Sequence, residues 1–261
     1  MPRRARTECK AATCSNAGTI ECAGCEGAVP VAKYCSDACR TSDWPSHKKY
    51  CGKKAYTLDI RIVGSKKPVI KRIVDVPSWY TFEELHYVIQ YAFSWENCHL
   101  HSFVFYRPRP RCRRIPAGKE IIRFLPHGKR EDPWSDPDTT ILKEEVATLA
   151  DVYGEAGKYH SEVESRDTIL PLIYLYDFGE NWEHLVTFKG EKVATADRPI
   201  FSKVTGYPPP EDAGGYDWDS ADDDEGDIFA KGRDPDEINP EVMNDEKRWE
   251  KRYKACSRMR L

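Results

Sequence analysis

Between residues 9 and 51 the chain carries seven of its ten cysteines and one histidine, in the order Cys9-x4-Cys14-x7-Cys22-x2-Cys25-x9-Cys35-x3-Cys39-x7-His47-x3-Cys51. Few apolar residues accompany them, so this segment cannot bury a core large enough to fold on its own. Zinc takes four thiolate or imidazole donors in tetrahedral geometry, so eight donors make two closed sites. A closed site leaves no position for a reacting water, which predicts a structural role, with metal ligation supplying most of the folding energy. Disulfide staples are the alternative use of many cysteines, but they belong to oxidising compartments. The N-terminal MPRRARTECK is basic and lacks the apolar segment of a secretory signal. No stretch approaches the length of a transmembrane span. These features predict a soluble protein of the nucleus or cytoplasm that holds two zinc ions.

Spacing alone does not fix which donor joins which metal. The pattern of Tyr34-Cys35, Cys39, Trp44, His47-Lys48-Lys49 and Cys51 resembles a MYND zinc finger, over roughly residues 9 to 51. In that family the donor pairs interleave. The resemblance implies that Cys9, Cys14, Cys35 and Cys39 hold one zinc while Cys22, Cys25, His47 and Cys51 hold the other. Two positions depart from the family pattern: the first pair is spaced x4 where x2 is usual, and Arg40 stands where glutamine is common. The resemblance also implies recognition of short proline-containing peptides, often in transcriptional co-regulation. Arg40 and Trp44 share a helical face and are the candidate peptide-binding residues. Trp44 has two readings, a core aromatic between the zinc lobes or an exposed platform for proline rings. Ser42 is placed to cap a second short helix through Trp44 and His47, with Pro45 in its first turn.

From Tyr56 the texture changes. YTLDIRIV alternates apolar and polar residues, Gly64 to Pro68 supplies a turn, and VIKRIVDV follows as a second strand. Thr81 with Glu84 forms a capping-box signature. Phe82, Leu85, Val88, Ile89, Ala92 and Phe93 then recur at helical spacing over 82 to 94. LHSFVFY, TILPLIYLYD and EHLVTFKG read as three more strands, the last two joined by a hairpin at Phe178 to Trp182. This order predicts an α+β domain with a largely antiparallel sheet. The blocks ELHYVIQYAFSWENCHLHSF, YLYDFGENWEH and PPEDAGGYDWD resemble the plasmid pRiA4b ORF-3-like family, which supports one compact α+β domain and carries over no settled activity. The expected organisation is a finger at 1 to 54, a short linker at 52 to 55, an α+β domain at 55 to 245 and a basic tail at 246 to 261.

Charge is distributed in blocks. Residues 1 to 54 hold ten Lys or Arg against five Asp or Glu, which seven thiolates and two Zn2+ reduce to about +2. That is no strong nucleic-acid footprint. Residues 107 to 130 form a basic insertion with nine Lys or Arg, and residues 211 to 227 hold nine acidic residues and no basic one. The tail has seven Lys or Arg and reads as a helix with few apolar residues.

His86, His99, His101, Asp177, Glu180, Glu183 and His184 are the candidates for chemistry in the second region. No phosphate-cradling glycine loop, His-Glu-x-x-His helix or nucleophile elbow accompanies them, and no stretch resembles a SET methyltransferase core. His86, beside the apolar stripe of the helix, reads as a hydrogen-bonded structural histidine. His99 and His101 share a strand face if the strand has begun there. None of His99, His101 and His184 is expected to hold a tight metal. The sequence therefore predicts a non-enzymatic protein-interaction module joined to a binding scaffold, with proline-containing proteins as partners. The alternatives are nucleic-acid binding through the finger and the basic insertion, or a metal-dependent enzyme in the second domain.

Overall fold

A computed structural model of the chain describes residues 8–108, 118–126, 137–211, 229 and 238–258. At the N-terminus, β1 (Ile20–Glu21) and β2 (Lys33–Tyr34) pair antiparallel around a 3-10 turn at Ala23–Cys25 and lead into α1 (Asp37–His47). Among the described residues, Cys9, Ala11 and Tyr34 form a small buried apolar cluster here. α1 is one continuous helix. Its N-cap is Ser36, whose side chain accepts the Cys39 N–H, and Pro45 lies inside it. Ser42 therefore caps no second helix: its hydroxyl donates to the Cys39 carbonyl at 2.9 Å. An earlier cap, satisfied at Ser36, lets the chain stay helical through both clusters.

β3 (Lys54–Ile62) begins two residues after Gly52, which takes the left-handed turn at φ +70. The expected linker is thus a tight turn packed on the next domain. Tyr50 buries against Ala55 and Ala194, the Ala194 N–H donates to the Lys53 carbonyl at 2.8 Å, and Lys53 Nζ lies 4.6 Å from the Trp79 ring centroid.

The larger unit continues with β4 (Lys71–Pro77), α2 (Phe82–Phe93), β5 (His101–Pro108), β6 (Gly118–Leu125), β7 (Thr140–Lys143), α3 (Leu149–Tyr153), α4 (His160–Val163), β8 (Glu164–Ser165) and β9 (Thr168–Ile169). It ends with β10 (Leu172–Tyr176), β11 (Trp182–Val193), β12 (Ile200–Thr205), α5 (Pro240–Met243) and α6 (Glu246–Cys256). An eight-stranded sheet runs β12-β4-β3-β11-β10-β5-β6-β7, antiparallel except for the parallel pair β6 and β7. The fold class is α+β with a largely antiparallel sheet, as the sequence predicts. In β3 the alternation is visible residue by residue: Tyr56, Leu58, Ile60 and Ile62 are buried, while Thr57 bonds Asp75 and Asp59 pairs with Lys71 on the other face. One face packs and one stays polar, as antiparallel sheets commonly do. α2 covers the packed face, and its Thr81/Glu84 capping box is present. Each of its fully buried Leu85, Val88, Ile89 and Phe93 contributes about 1.5–3 kcal/mol.

Three expectations change. The basic insertion contains a strand, β6, whose Ile122, Phe124 and Leu125 are buried; flanking arginines hide that apolar pattern in composition. Residues 109–117 and 127–130 of the insertion lie outside the described residues, as does the acidic stretch beyond Glu211. TILPLIYLYD is two strands, β9 and β10. The C-terminal segment is part of the domain. Trp249 packs edge-on to Tyr91 at 5.2 Å, Tyr253 packs edge-on to Tyr87 at 5.7 Å, and the Arg252 guanidinium donates to the Trp95 carbonyl. Trp249, Tyr253 and Cys256 recur at helical spacing, so few apolar residues suffice for docking.

Candidate functional site

The first donor cluster is built by a turn and a helix start. The Cys9 N–H donates to the Asn16 carbonyl at 2.8 Å and the Cys14 N–H to the Ala11 carbonyl at 3.0 Å, folding Cys9 and Cys14 back on each other. Cys35 precedes the cap of α1 and Cys39 follows one turn later. Their Sγ atoms lie 3.5 Å apart, and Cys14 Sγ lies 3.6 Å from Cys35 Sγ. The Cys35 N–H points at Cys9 Sγ at 3.4 Å. Hydrogen bonds with the Cys39 and Cys14 thiols lower the Cys35 thiol to about 7.

The second cluster joins the 3-10 turn to the end of α1. Cys22 and Cys25 flank the turn, and the Cys51 N–H donates to the His47 carbonyl at 3.0 Å, carrying the helical path one turn further. Cys22 Sγ lies 3.6 Å from Cys51 Sγ, and Cys25 Sγ lies 3.9 Å from it. His47 Nε2 sits 3.2 Å from Cys22 Sγ and 3.4 Å from Cys25 Sγ. Burial lowers the pKa of His47, keeping the imidazole in the neutral, ligating form. A Cβ on Gly24 would lie 2.6 Å from Cys51 Sγ, so glycine is what lets that thiol enter the cluster.

These distances test the fit to zinc. A disulfide needs about 2.05 Å between sulfurs. A tetrahedral ion with Zn–S of about 2.3 Å places its sulfurs about 3.8 Å apart. The observed separations of 3.5 to 3.9 Å match the second case. Cys9, Cys14, Cys35 and Cys39 form one group and Cys22, Cys25, His47 and Cys51 the other, each with its donor atoms within 4.8 Å of one another. The donors interleave as the resemblance implies. Both sets suit zinc, which would act here as a structural cross-link.

On the outer face of α1, Trp44 is 48% exposed, its ring 6.0 Å from that of His47. Arg40, one turn earlier, pairs with Asp37 at 2.9 Å.

The second domain separates its histidines. His86 is buried, donating from Nε2 to Asn97 Oδ1 at 2.7 Å and accepting the Tyr174 hydroxyl at Nδ1 at 2.8 Å, while Gln90 Nε2 donates to that hydroxyl at 2.9 Å. Its ring stacks on His101 with centroids 3.6 Å apart. His101 is buried and meets Glu144 Oε2 at 2.9 Å. Burial raises Glu144 to about 7 and pushes His86 well below its usual value. His184 is buried and donates from Nδ1 to the Trp182 carbonyl at 3.0 Å; burial lowers it to about 3. Asp177 accepts the Gly179 and Glu180 N–H groups, and Glu180 accepts the Trp182 indole N–H, so both shape the β10–β11 turn. Glu183 is half-buried on β11, and burial raises its pKa. β5 starts at His101, so His99 precedes the strand, is partly exposed and shares no strand face with it. Sequence reasoning missed Glu144 and singled out Glu211 only as part of the acidic stretch 211 to 227, because the partners of both lie far away in the chain.

No helix among the described residues is long and apolar enough to cross a membrane. A MYND finger model matches residues 7–51, and the model described as plasmid pRiA4b ORF-3-like protein matches residues 54–219. The uncharacterized protein y4hQ of Sinorhizobium fredii is 31% identical over 150 residues, which is 57% of this chain; the chain spans 61% of that relative's length. A crystal structure of MM3350, a protein of unknown function from Methanosarcina mazei Go1, aligns with a TM-score of 0.46 at 27% identity, covering 62% of this chain and 76% of that one. The chain therefore belongs to the plasmid pRiA4b ORF-3-like family and carries a MYND finger ahead of that domain.

Proposed function

We propose that this protein is a non-enzymatic adaptor or co-regulator whose finger recognises short proline-containing peptides on partner proteins. The observation that carries this reading is Trp44, a large aromatic left 48% exposed on a helix that contributes donors to both clusters. A metal-fixed helix presents the ring without the entropy cost of ordering a loop. Proline-rich segments are already extended and lose little entropy when they dock on an aromatic face. Arg40, one turn away, adds donors for a peptide carbonyl and favours an acidic residue beside the prolines. The second domain serves as a scaffold. Its buried histidines are engaged with Tyr174, Asn97, Glu144 and the Trp182 carbonyl, a pattern that suits core structure. Thiolate donors require reducing conditions, in keeping with a nuclear or cytoplasmic setting.

The test is Trp44→Ala in the full chain, assayed by binding to a library of proline-containing peptides and by zinc content. Loss of peptide capture with both finger zincs retained supports the reading. Loss of zinc makes Trp44 a structural residue, and unchanged capture places the surface elsewhere.

A further inference from the structure

Three sequence blocks that the finger does not absorb meet at one place: WENCHLH after α2, YLYDFG at the end of β10, and PPPE after β12. There the Cys98 thiol, a ring nitrogen of His99 and a carboxylate oxygen of Glu211 all lie within 4.8 Å of one another, the same closeness that marks the two finger clusters. Cys98 is exposed, and His99 and Glu211 are partly so, which makes the group reachable from solvent.

Hydrogen bonds and a ring stack tie together the frame around the three donors. The fully buried Tyr176 accepts the backbone N–H groups of Cys98 at 3.0 Å and His99 at 3.2 Å, while its hydroxyl donates to Glu211 Oε1. The Glu96 N–H donates to Glu211 Oε2 at 2.6 Å and the Cys98 N–H to Oε1 at 3.4 Å. Trp95 stacks on Tyr176 at 5.1 Å, and its indole N–H holds the Pro209 carbonyl at 2.9 Å, two residues before Glu211. Asp177 Oδ2 stands 3.7 Å from His99 Nδ1, adding negative charge beside the imidazole. The backbone bonds to Glu211 account for a carboxylate that closes a turn. The Cys98 thiol also bonds that carboxylate, and the His99 imidazole brings a third type of donor to the same place.

We propose that Cys98, His99 and Glu211 form a third metal site, taking a divalent ion of zinc type. Thiolate, imidazole and carboxylate together select a borderline ion over magnesium or calcium, which prefer all-oxygen shells. Three protein donors leave a coordination position open, unlike the closed finger sites. That position accepts water or a donor from a bound partner. His99 thereby departs from the expectation that it holds no tight metal.

Cobalt(II) is the probe, added to the full chain given only two equivalents of zinc, which the closed four-donor finger sites take ahead of a three-donor site. Zinc outranks cobalt for the same donors, so the finger sites stay filled with zinc. The expected result is one cobalt per chain with a thiolate-to-cobalt charge-transfer band, displaced by added zinc. Cys98→Ala, at an exposed position, abolishes the band, and His99→Ala weakens cobalt binding by about tenfold or more, each with unchanged zinc in the finger. No cobalt uptake by the zinc-loaded wild type, or a band that persists in Cys98→Ala or at wild-type affinity in His99→Ala, overturns the site.

Discussion

Cys39 and His47 stand near opposite ends of α1 and belong to different donor clusters. The helix is therefore a strut between two donor clusters that suit zinc, so the geometry of each cluster is tied to the helix's anchor at the other end. With structural zinc worth roughly 10–16 kcal/mol in finger peptides, and a small buried apolar cluster of Cys9, Ala11 and Tyr34, the finger has little else to hold α1 in place.

Cys35→Ser and Cys51→Ser are each expected to release both finger zincs, not one. The measurement is zinc released to a metallochromic indicator, with the far-UV spectrum reporting that the second domain stays folded. A variant that retains one finger zinc at wild-type affinity shows the two sites to be independent.

Gly24→Ala should weaken the cluster of Cys22, Cys25, His47 and Cys51. The added methyl falls 2.6 Å from Cys51 Sγ, and overpacking of this kind costs about 1–3 kcal/mol. Chelator competition on the purified variant reads the change. Zinc affinity equal to wild type would mean that the turn shifts freely and that glycine is not required there.

The second domain should lose stability in acid through His184. Its folded pKa, about 3, lies below the ordinary histidine value because burial disfavours the imidazolium. The unfolded chain thus binds the proton first. The stability from holding His184 neutral is complete above about pH 6.5 and falls by up to about 1.4 kcal/mol per pH unit as the pH drops toward the folded value. Urea unfolding of wild type and His184→Gln at neutral and at mildly acidic pH isolates this slope, since contributions from the finger cancel in the difference. Parallel pH dependence in the two proteins would remove His184 as the cause.

Trp249→Ala is expected to destabilise the second domain by about 3–5 kcal/mol, the range for deleting a large buried aromatic, because Trp249 packs on Tyr91 in the main core. Lys254→Ala, on the exposed side of the same helix with only an i,i+4 partner in Glu250 at 3.7 Å, should stay within about 0.5 kcal/mol. Denaturant midpoints compare the two. Equal, small effects would mean that α6 is not part of the cooperative unit.

The features legible in the sequence are the ones whose physics is local. Cys35 with Cys39, and His47 with Cys51, are one helical turn apart, and Thr81 with Glu84 closes a capping box within four residues. The alternation from Tyr56 to Ile62 marks which face of β3 is buried without reference to any other strand. What the spacing left open was decided by the way the chain closes on itself. The turn at Cys9 to Asn16 and the β1–β2 pair select the interleaved donor sets from several that the spacing allows. The docking of α6 follows from Trp249 meeting Tyr91, a contact that no window of sequence contains. Glu144 against His101, and Glu211 against Cys98 and His99, arise only when sheet register and the return of the chain after β12 bring distant residues together. A carboxylate in a polar stretch looks like any solvated side chain until the fold brings its partners to it.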